Sequence, residues 1–279
     1  MPYPYNLILP LILPSTFIFV LFLICIAPGK RSRKSKEFIP NVFYAHRGLW
    51  DDEKPENSMS AFANAVDKGF GIELDLHHTK DGNVIVFHDD DAKRMCGVDR
   101  NIRDMTLSEM QELRLLDTGE KVPLFSEVLA LVDGKVPLII ELKAATVKIA
   151  YPLCESVAAI LDGYNGVYCI ESFNPLVLLW FKKHRPKIIR GQLADAFMRK
   201  PETRTFMYFA MHYMMFNLLT KPDFIAYNVQ NTDALAFRYV RLFRPTTAGW
   251  TIRSQAELNK GKKIFDRFIF EGFIPENAS

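Results

Sequence analysis

The sequence predicts an α/β fold, a (β/α)8 barrel preceded by one N-terminal transmembrane helix. Three observations carry this expectation. From residue 41 onward, short apolar runs alternate with helical patterns, the signature of a parallel sheet with crossover helices. An almost unbroken apolar run occupies 7–27, within 29 residues that hold no charged side chain. Between the two lies a basic cluster, Lys30, Arg31, Arg33, Lys34 and Lys36.

The segments divide as 1–29, an anchor; 30–40, a basic juxtamembrane linker; and 41–279, a catalytic barrel of the usual size for one such domain. As a helix, the apolar run extends roughly 31 Å, enough for a bilayer core. Pro10 and Pro14 are tolerated in membrane spans. No basic residue precedes the run, which argues against a cleaved leader. Basic residues following it place the C-terminal flank inside, so the expected location is a single-pass cell-membrane protein with its domain on the cytoplasmic side. Five of the 35 Lys and Arg fall in that cluster, so the remainder, with 32 Asp and Glu, is slightly acidic. The cluster suits anionic lipid headgroups, and membrane lipids are expected partners. Nothing in this balance points to nucleic acid, and no protein partner is inferable. The four scattered cysteines show no metal-type spacing and fit a reducing compartment.

Strands are expected at 41–45, 71–76, 83–87, 136–142, 166–170, 187–191, 223–227, 247–251 and 267–270. Helices are expected at 58–68, 108–115, 125–131, 151–161 and 255–262. Asn57 and Ser58 are available to cap the first of these, and Gly69 to stop it. Nine strands exceed eight barrel positions. The gap between 76 and 83 is also too short for a helical crossover, so 71–87 departs from a regular βα unit.

The chemistry gathers where strands end, which in such a barrel is the face that carries active sites. Glu73 and Asp75, two apart on a strand, share one face and repel unless a cation lies between them. With Glu141 they form an all-oxygen set that suits one divalent cation, Mg²⁺ or Ca²⁺. Arg47 and Lys143 supply positive charge for a phosphate. His46 and His88 can divide general acid and base work near neutral pH. Together these parts describe metal-assisted attack on a phosphodiester. His77 and His78 point to opposite faces, so at most one approaches the site. His184 and His212 lie in helical surroundings and read as structural.

At these residues the chain resembles the glycerophosphodiester phosphodiesterase family. The resemblance runs through HRG (46–48), PENS (55–58), ELD (73–75), TKDG (79–82), HD (88–89), VPLFSEVL (122–129) and ELK (141–143). Weaker echoes follow at SFNP (172–175), WT (250–251) and FEGF (270–273). It implies a TIM barrel, a divalent cation on Glu73, Asp75 and Glu141, and acid–base roles for His46 and His88. It also implies phosphate contacts from Arg47 and Lys143 and a pocket wall from Trp250. The implied reaction converts glycerophosphodiesters to glycerol 3-phosphate and an alcohol. In phospholipases of similar site design, a substrate hydroxyl attacks phosphorus and water opens the cyclic phosphate. Glu271–Gly272 departs from the family's usual Asp–Gly in the last strand.

Two alternatives stand beside this reading: a lysophospholipase D-like activity on lysophospholipids, which a large aliphatic groove beside the site would favour, and a non-catalytic lipid-binding barrel. The aromatic and Met-rich stretch 206–219, bordered by Arg199, Lys200, Arg204 and Lys221, is expected either to lie at a membrane interface or to fill the barrel's core.

Overall fold

The computed structural model describes residues 5–199 and 205–276, with side chains from residue 14 onward. Among the described residues, nine strands form one sheet: β1 (Phe43–His46), β2 (Gly71–His78), β3 (Val84–Val86), β4 (Leu138–Leu142), β5 (Tyr168–Ser172), β6 (Arg190–Ala194), β7 (Phe224–Asn228), β8 (Thr246–Ile252) and β9 (Arg267–Phe270). Their order is β1-β9-β8-β7-β6-β5-β4-β2-β3, and β1 also pairs with β2. That last pairing closes eight parallel strands into a barrel.

The ninth strand settles the numerical conflict. β3 runs antiparallel to the far end of β2, with Leu76 opposite Val86 and His78 opposite Val84. It lies outside the barrel closure, and the short gap is a hairpin rather than a crossover. Thr79 organises its turn: its backbone N–H donates to the Asn83 carbonyl at 2.9 Å, and its hydroxyl donates to Asp81 at 2.6 Å. Gly82 supplies the left-handed backbone (φ +80°) that closes the turn. The chain after β3 folds on its own small core, in which Ile85, Phe87, Met95, Ile102 and Met110 are buried.

The first barrel helix runs Met59–Asp67, with the Ser58 side chain accepting from the Ala61 N–H. Alternation along β4 and β5 sends Ile140 and Ile170 to the large helix-facing core and Ile139 and Cys169 to the barrel interior. β6 begins three residues later than expected. Arg190 and Gly191, expected at the end of the run, stand instead at the strand's start, beside β7, with Gly191 opposite Phe224. The Phe224 ring fills the space a Cβ at 191 would need, 2.1 Å away.

The expected membrane span is overturned: among the described residues, no helix is long and apolar enough to cross a membrane. The N-terminal helix is Tyr5–Ile26. Its end is docked on the barrel. Phe22 meets Tyr213 and Tyr239 edge-on at 5.6 and 5.7 Å, and Ile26 is fully buried. The Asn217 amide donates to the Ile26 carbonyl at 2.8 Å. The single-pass location with a cytoplasmic domain therefore falls with the span.

The basic linker also differs from expectation. Residues 30–37 form two 3-10 turns against the N-terminal end of the barrel. Arg31 donates from Nε and NH2 to the Asp223 carboxylate at 2.8 and 2.6 Å, and from NH2 to the Ile188 carbonyl. Ser35 is buried and donates to the Asp223 carbonyl. Stretch 206–219 is partly buried and partly exposed. Ala210, His212, Met214 and Asn217 are buried, whereas Phe206, Met207, Leu218 and Leu219 are exposed. Of its basic border, Lys200 and Arg204 lie outside the described residues.

Candidate active site

Parallel pairing fixes where the acids meet. Asp75 on β2 stands opposite Glu141 on β4, and Glu141 opposite Glu171 on β5. All point into the barrel mouth, where Glu73, Asp75, Glu141 and Glu171 are each at most 6% exposed. Glu73, Asp75 and Glu141 offer carboxylate oxygens that all lie within 4.8 Å of one another. Burial, then repulsion from Asp75, Glu171 and Glu141, pushes the Glu73 carboxyl well above its ordinary range. Burial raises Glu141 to about 7 against the pull of Lys143. For Asp75 burial acts upward too, but Lys143, His88 and Arg47 together hold it far below the usual range. Four buried acids against two neighbouring cations leave negative charge to be offset. An all-oxygen donor set of this kind fits a hard divalent cation.

The cations flank the cluster. Lys143 Nζ lies 2.7 Å from Glu141 Oε2 and 3.1 Å from Asp75 Oδ1, pairs that hold its ammonium charged despite burial. Arg47 turns through a left-handed backbone (φ 58°) at the end of β1, which aims its N–H at Glu73 Oε2, 3.1 Å away. Its guanidinium reaches Glu56 Oε1 at 2.7 Å and Asp75 Oδ2 at 3.5 Å. Asn57, also left-handed, donates its amide to Asp75 Oδ2 at 2.9 Å. The PENS segment thus carries two residues that position others, Glu56 and Asn57.

Both histidines border the acids. His46 Nε2 is 3.9 Å from Glu73 Oε2, and Nδ1 hydrogen-bonds the Glu271 carboxylate. Burial lowers the His46 imidazole, and Glu271 opposes that. Burial likewise lowers His88, with Asp75 opposing; its Nδ1 bonds Asp89 at 2.7 Å. Arg94 then ties Asp89 to Glu56, donating to each at 2.7 Å. His77 is buried and lines the same cleft as His88. Its Nε2 lies 3.1 Å from the His88 carbonyl, and burial brings it down to about 4. His78 lies farther along the same strand and makes no hydrogen bond through Nε2. Trp250 stands at the opposite rim, edge-on to Phe173 at 5.7 Å.

A cleft of about 500 Å³ opens over this cluster, with His88, Glu141, Lys143 and Phe173 in its walls. Of the eight residues the sequence singled out, His46, Arg47, Glu73, Asp75, His88, Glu141 and Lys143 thus gather in one contact network, with Trp250 facing it through Phe173. Five others were missed, among them Glu56, which lies in PENS and holds Arg47. Glu271 was noted only as a departure, yet it holds His46. Glu171, one residue before SFNP, was available from strand alternation, since it pairs with Glu141. Asn57 was read only as a cap, and Asp89 lay inside the HD motif.

Residues 46–263 match the model of the glycerophosphoryl diester phosphodiesterase family. A glycerophosphodiester phosphodiesterase of Caldanaerobacter subterraneus is 35% identical over 170 residues, covering 56% of this chain and 68% of that one. Among solved structures, a glycerophosphodiester phosphodiesterase from Thermotoga maritima is 26% identical with a TM-score of 0.63, over 83% of this chain and 95% of its own. A phosphodiesterase from Oleispira antarctica, solved with the product sn-glycerol-3-phosphate, shares the fold at 20% identity and a TM-score of 0.69, over 85% and 94%.

Proposed function

The chain belongs to the glycerophosphoryl diester phosphodiesterase family and is a phosphoric diester hydrolase; from the site's geometry we propose how it works, with residues 41–279 as the catalytic domain. The substrate is a glycerophosphodiester, and the products are glycerol 3-phosphate and an alcohol. One observation carries the reading: three buried carboxylates with mutually close oxygens, bordered by two cations and two histidines. Glu73, Asp75 and Glu141 would hold one divalent cation, Mg²⁺ or Ca²⁺. When bound, that ion offsets the clustered charge and polarises a phosphoryl oxygen.

The chain's own residues do the rest. Arg47 and Lys143 receive the phosphate, one with a planar fork and one as a point charge. Glu56 pairs with Arg47, and Glu141 and Asp75 pair with Lys143, which lines the cleft. His46 and His88 exchange protons with the attacking oxygen and the leaving alcohol: overall the bond from phosphorus to the alcohol oxygen breaks, a bond from phosphorus to water's oxygen forms, and one water proton leaves on the alcohol. Each has one ring nitrogen bonded to a carboxylate, Glu271 or Asp89, which fixes the ring and leaves the other nitrogen for substrate. Trp250 and Phe173 wall the glycerol side.

The test is choline release from glycerophosphocholine by the purified chain, after chelation and after return of Mg²⁺ or Ca²⁺. Activity that disappears with chelator and returns with one ion supports the reading. Full activity in chelator would refute the cation's role, and no release from any glycerophosphodiester would refute the substrate.

A further inference from the structure

The two ends of the site belong to different packing units. Arg47 and Glu56 follow β1 and lead into the first barrel helix, whereas His88, Asp89 and Arg94 follow β3. There Phe87, Ala92 and Met95 are buried in the small separate core. One side chain joins the two units. Arg94, on the short helix Lys93–Cys96, donates from Nε to Asp89 Oδ2 at 2.7 Å and from NH2 to Asp89 Oδ1 at 3.1 Å. It also donates from NH1 to Glu56 Oε2 at 3.0 Å and from NH2 to Glu56 Oε1 at 2.7 Å. Each carboxylate then carries one further bond inward: Asp89 Oδ1 bonds His88 Nδ1, and Glu56 Oε1 accepts from Arg47 NH1, both at 2.7 Å. Burial raises both carboxyls, and on each Arg94 is the foremost of the partners that draw it below its ordinary range. The neighbouring Lys93 differs: it pairs with Asp99 where the two side chains are 66% and 76% exposed.

We propose that Arg94 is a positioning residue of the hydrolysis, which fixes the phosphate-binding Arg47 and the proton-transferring His88 relative to each other through Glu56 and Asp89. The inference rests on the phosphodiesterase reading above and adds to it a residue outside the walls of the cleft. His88 and Asp89 line the cleft, and Arg94 does not. Arg94 therefore exchanges no proton and meets no phosphate; it acts on the groups that do. A guanidinium suits this task because its planar fork binds a carboxylate through parallel N–H bonds, which an ammonium cannot do. The consequence is geometric. Arg47 sets where the phosphoryl group lies, and His88 must reach an oxygen on it at hydrogen-bond distance. Either group alone could satisfy its own carboxylate in several orientations. A common anchor for both carboxylates holds the separation between them, and a misplacement of about 1 Å costs up to about 10²-fold in rate.

The experiment measures kcat and KM for choline release from glycerophosphocholine by the full chain, with Mg²⁺ or Ca²⁺. Arg94→Gln should lower kcat about 10- to 100-fold and raise KM about threefold or more, because both neighbours lose a charge-assisted partner. Asp89→Asn should act mainly on kcat and Glu56→Gln mainly on KM, so that Arg94→Gln combines the two signatures. Lys93→Gln, on the same helix, should leave both constants within about twofold, since a solvated pair contributes little. A second measurement keeps Arg94 in place and combines Asp89→Asn with Glu56→Gln. Because Arg94 links the two carboxylates, the loss of kcat/KM in the double variant should fall short of the product of the single losses by about fivefold or more. Arg94→Gln with both constants near wild type, or with lowered stability alone, would overturn the positioning role and leave the phosphodiesterase reading standing. Single losses that simply multiply in the double variant would also overturn it, and they decide the matter even where Arg94→Gln unfolds. No choline release by the unaltered chain would overturn both readings together.

Discussion

Glu271→Gln separates a residue that positions His46 from one that merely fills the barrel rim. The carboxylate bonds His46 Nδ1 through one oxygen and pairs with Arg253 at 2.8 Å through the other. Burial pushes Glu271 up, yet His46 and Arg253 bring it down to about 2. The amide keeps the shape and an accepting oxygen but removes the charge. A hydrogen bond to a charged group contributes about 1.5–3 kcal/mol. If that energy holds His46 in its working orientation and steadies its protonated form, kcat falls roughly 10- to 100-fold. KM should change less than about twofold, since Glu271 contacts His46 and Arg253 rather than the phosphate-binding residues. Choline release from glycerophosphocholine measures both constants. Stability supplies a second readout with a definite sign. A carboxyl whose folded value lies below its unfolded value of 4.5 stabilises the fold above that value, and the contribution is lost as pH falls toward about 2. The melting difference between wild type and variant should therefore be full at pH 7 and shrink between about pH 4.5 and 2. Turnover within twofold of wild type, with an unchanged melting difference across that range, would refute the assigned role.

His46→Ala and His88→Ala should each lower turnover by about 10²–10⁴-fold without unfolding the barrel, and near-normal rates in either would remove its proton-transfer role. Glu73→Gln should weaken Mg²⁺ or Ca²⁺ binding, measured by calorimetry, together with activity; unchanged affinity would take Glu73 out of the cation site. Arg31→Ala should lower stability by about 1–3 kcal/mol in urea titrations, because it leaves the nearly fully buried Asp223 carboxylate with Arg190 alone, its backbone N–H at 3.0 Å and its guanidinium at 3.6 Å. No change there would mean that the linker contributes nothing to the barrel.

The sequence by itself determined the barrel and singled out most of the residues that gather at its candidate site, because both are written in short-range pattern. A period of two puts Glu73 and Asp75 on one face, and an apolar run ending in Glu141 and Lys143 places both at a strand terminus. Only the tertiary structure decided what depends on distant partners. Whether 83–87 was a barrel strand turned on its antiparallel pairing with β2, since an apolar run reads the same in either direction. The start of β6 was set by packing, with Phe224 closing over Gly191 across the β6–β7 pair. Composition could not reveal that Arg31 of the basic cluster pairs with Asp223, 192 residues away. Likewise, Glu271 reaches His46 across 225 residues, and only barrel closure, with β9 beside β1, brings them together.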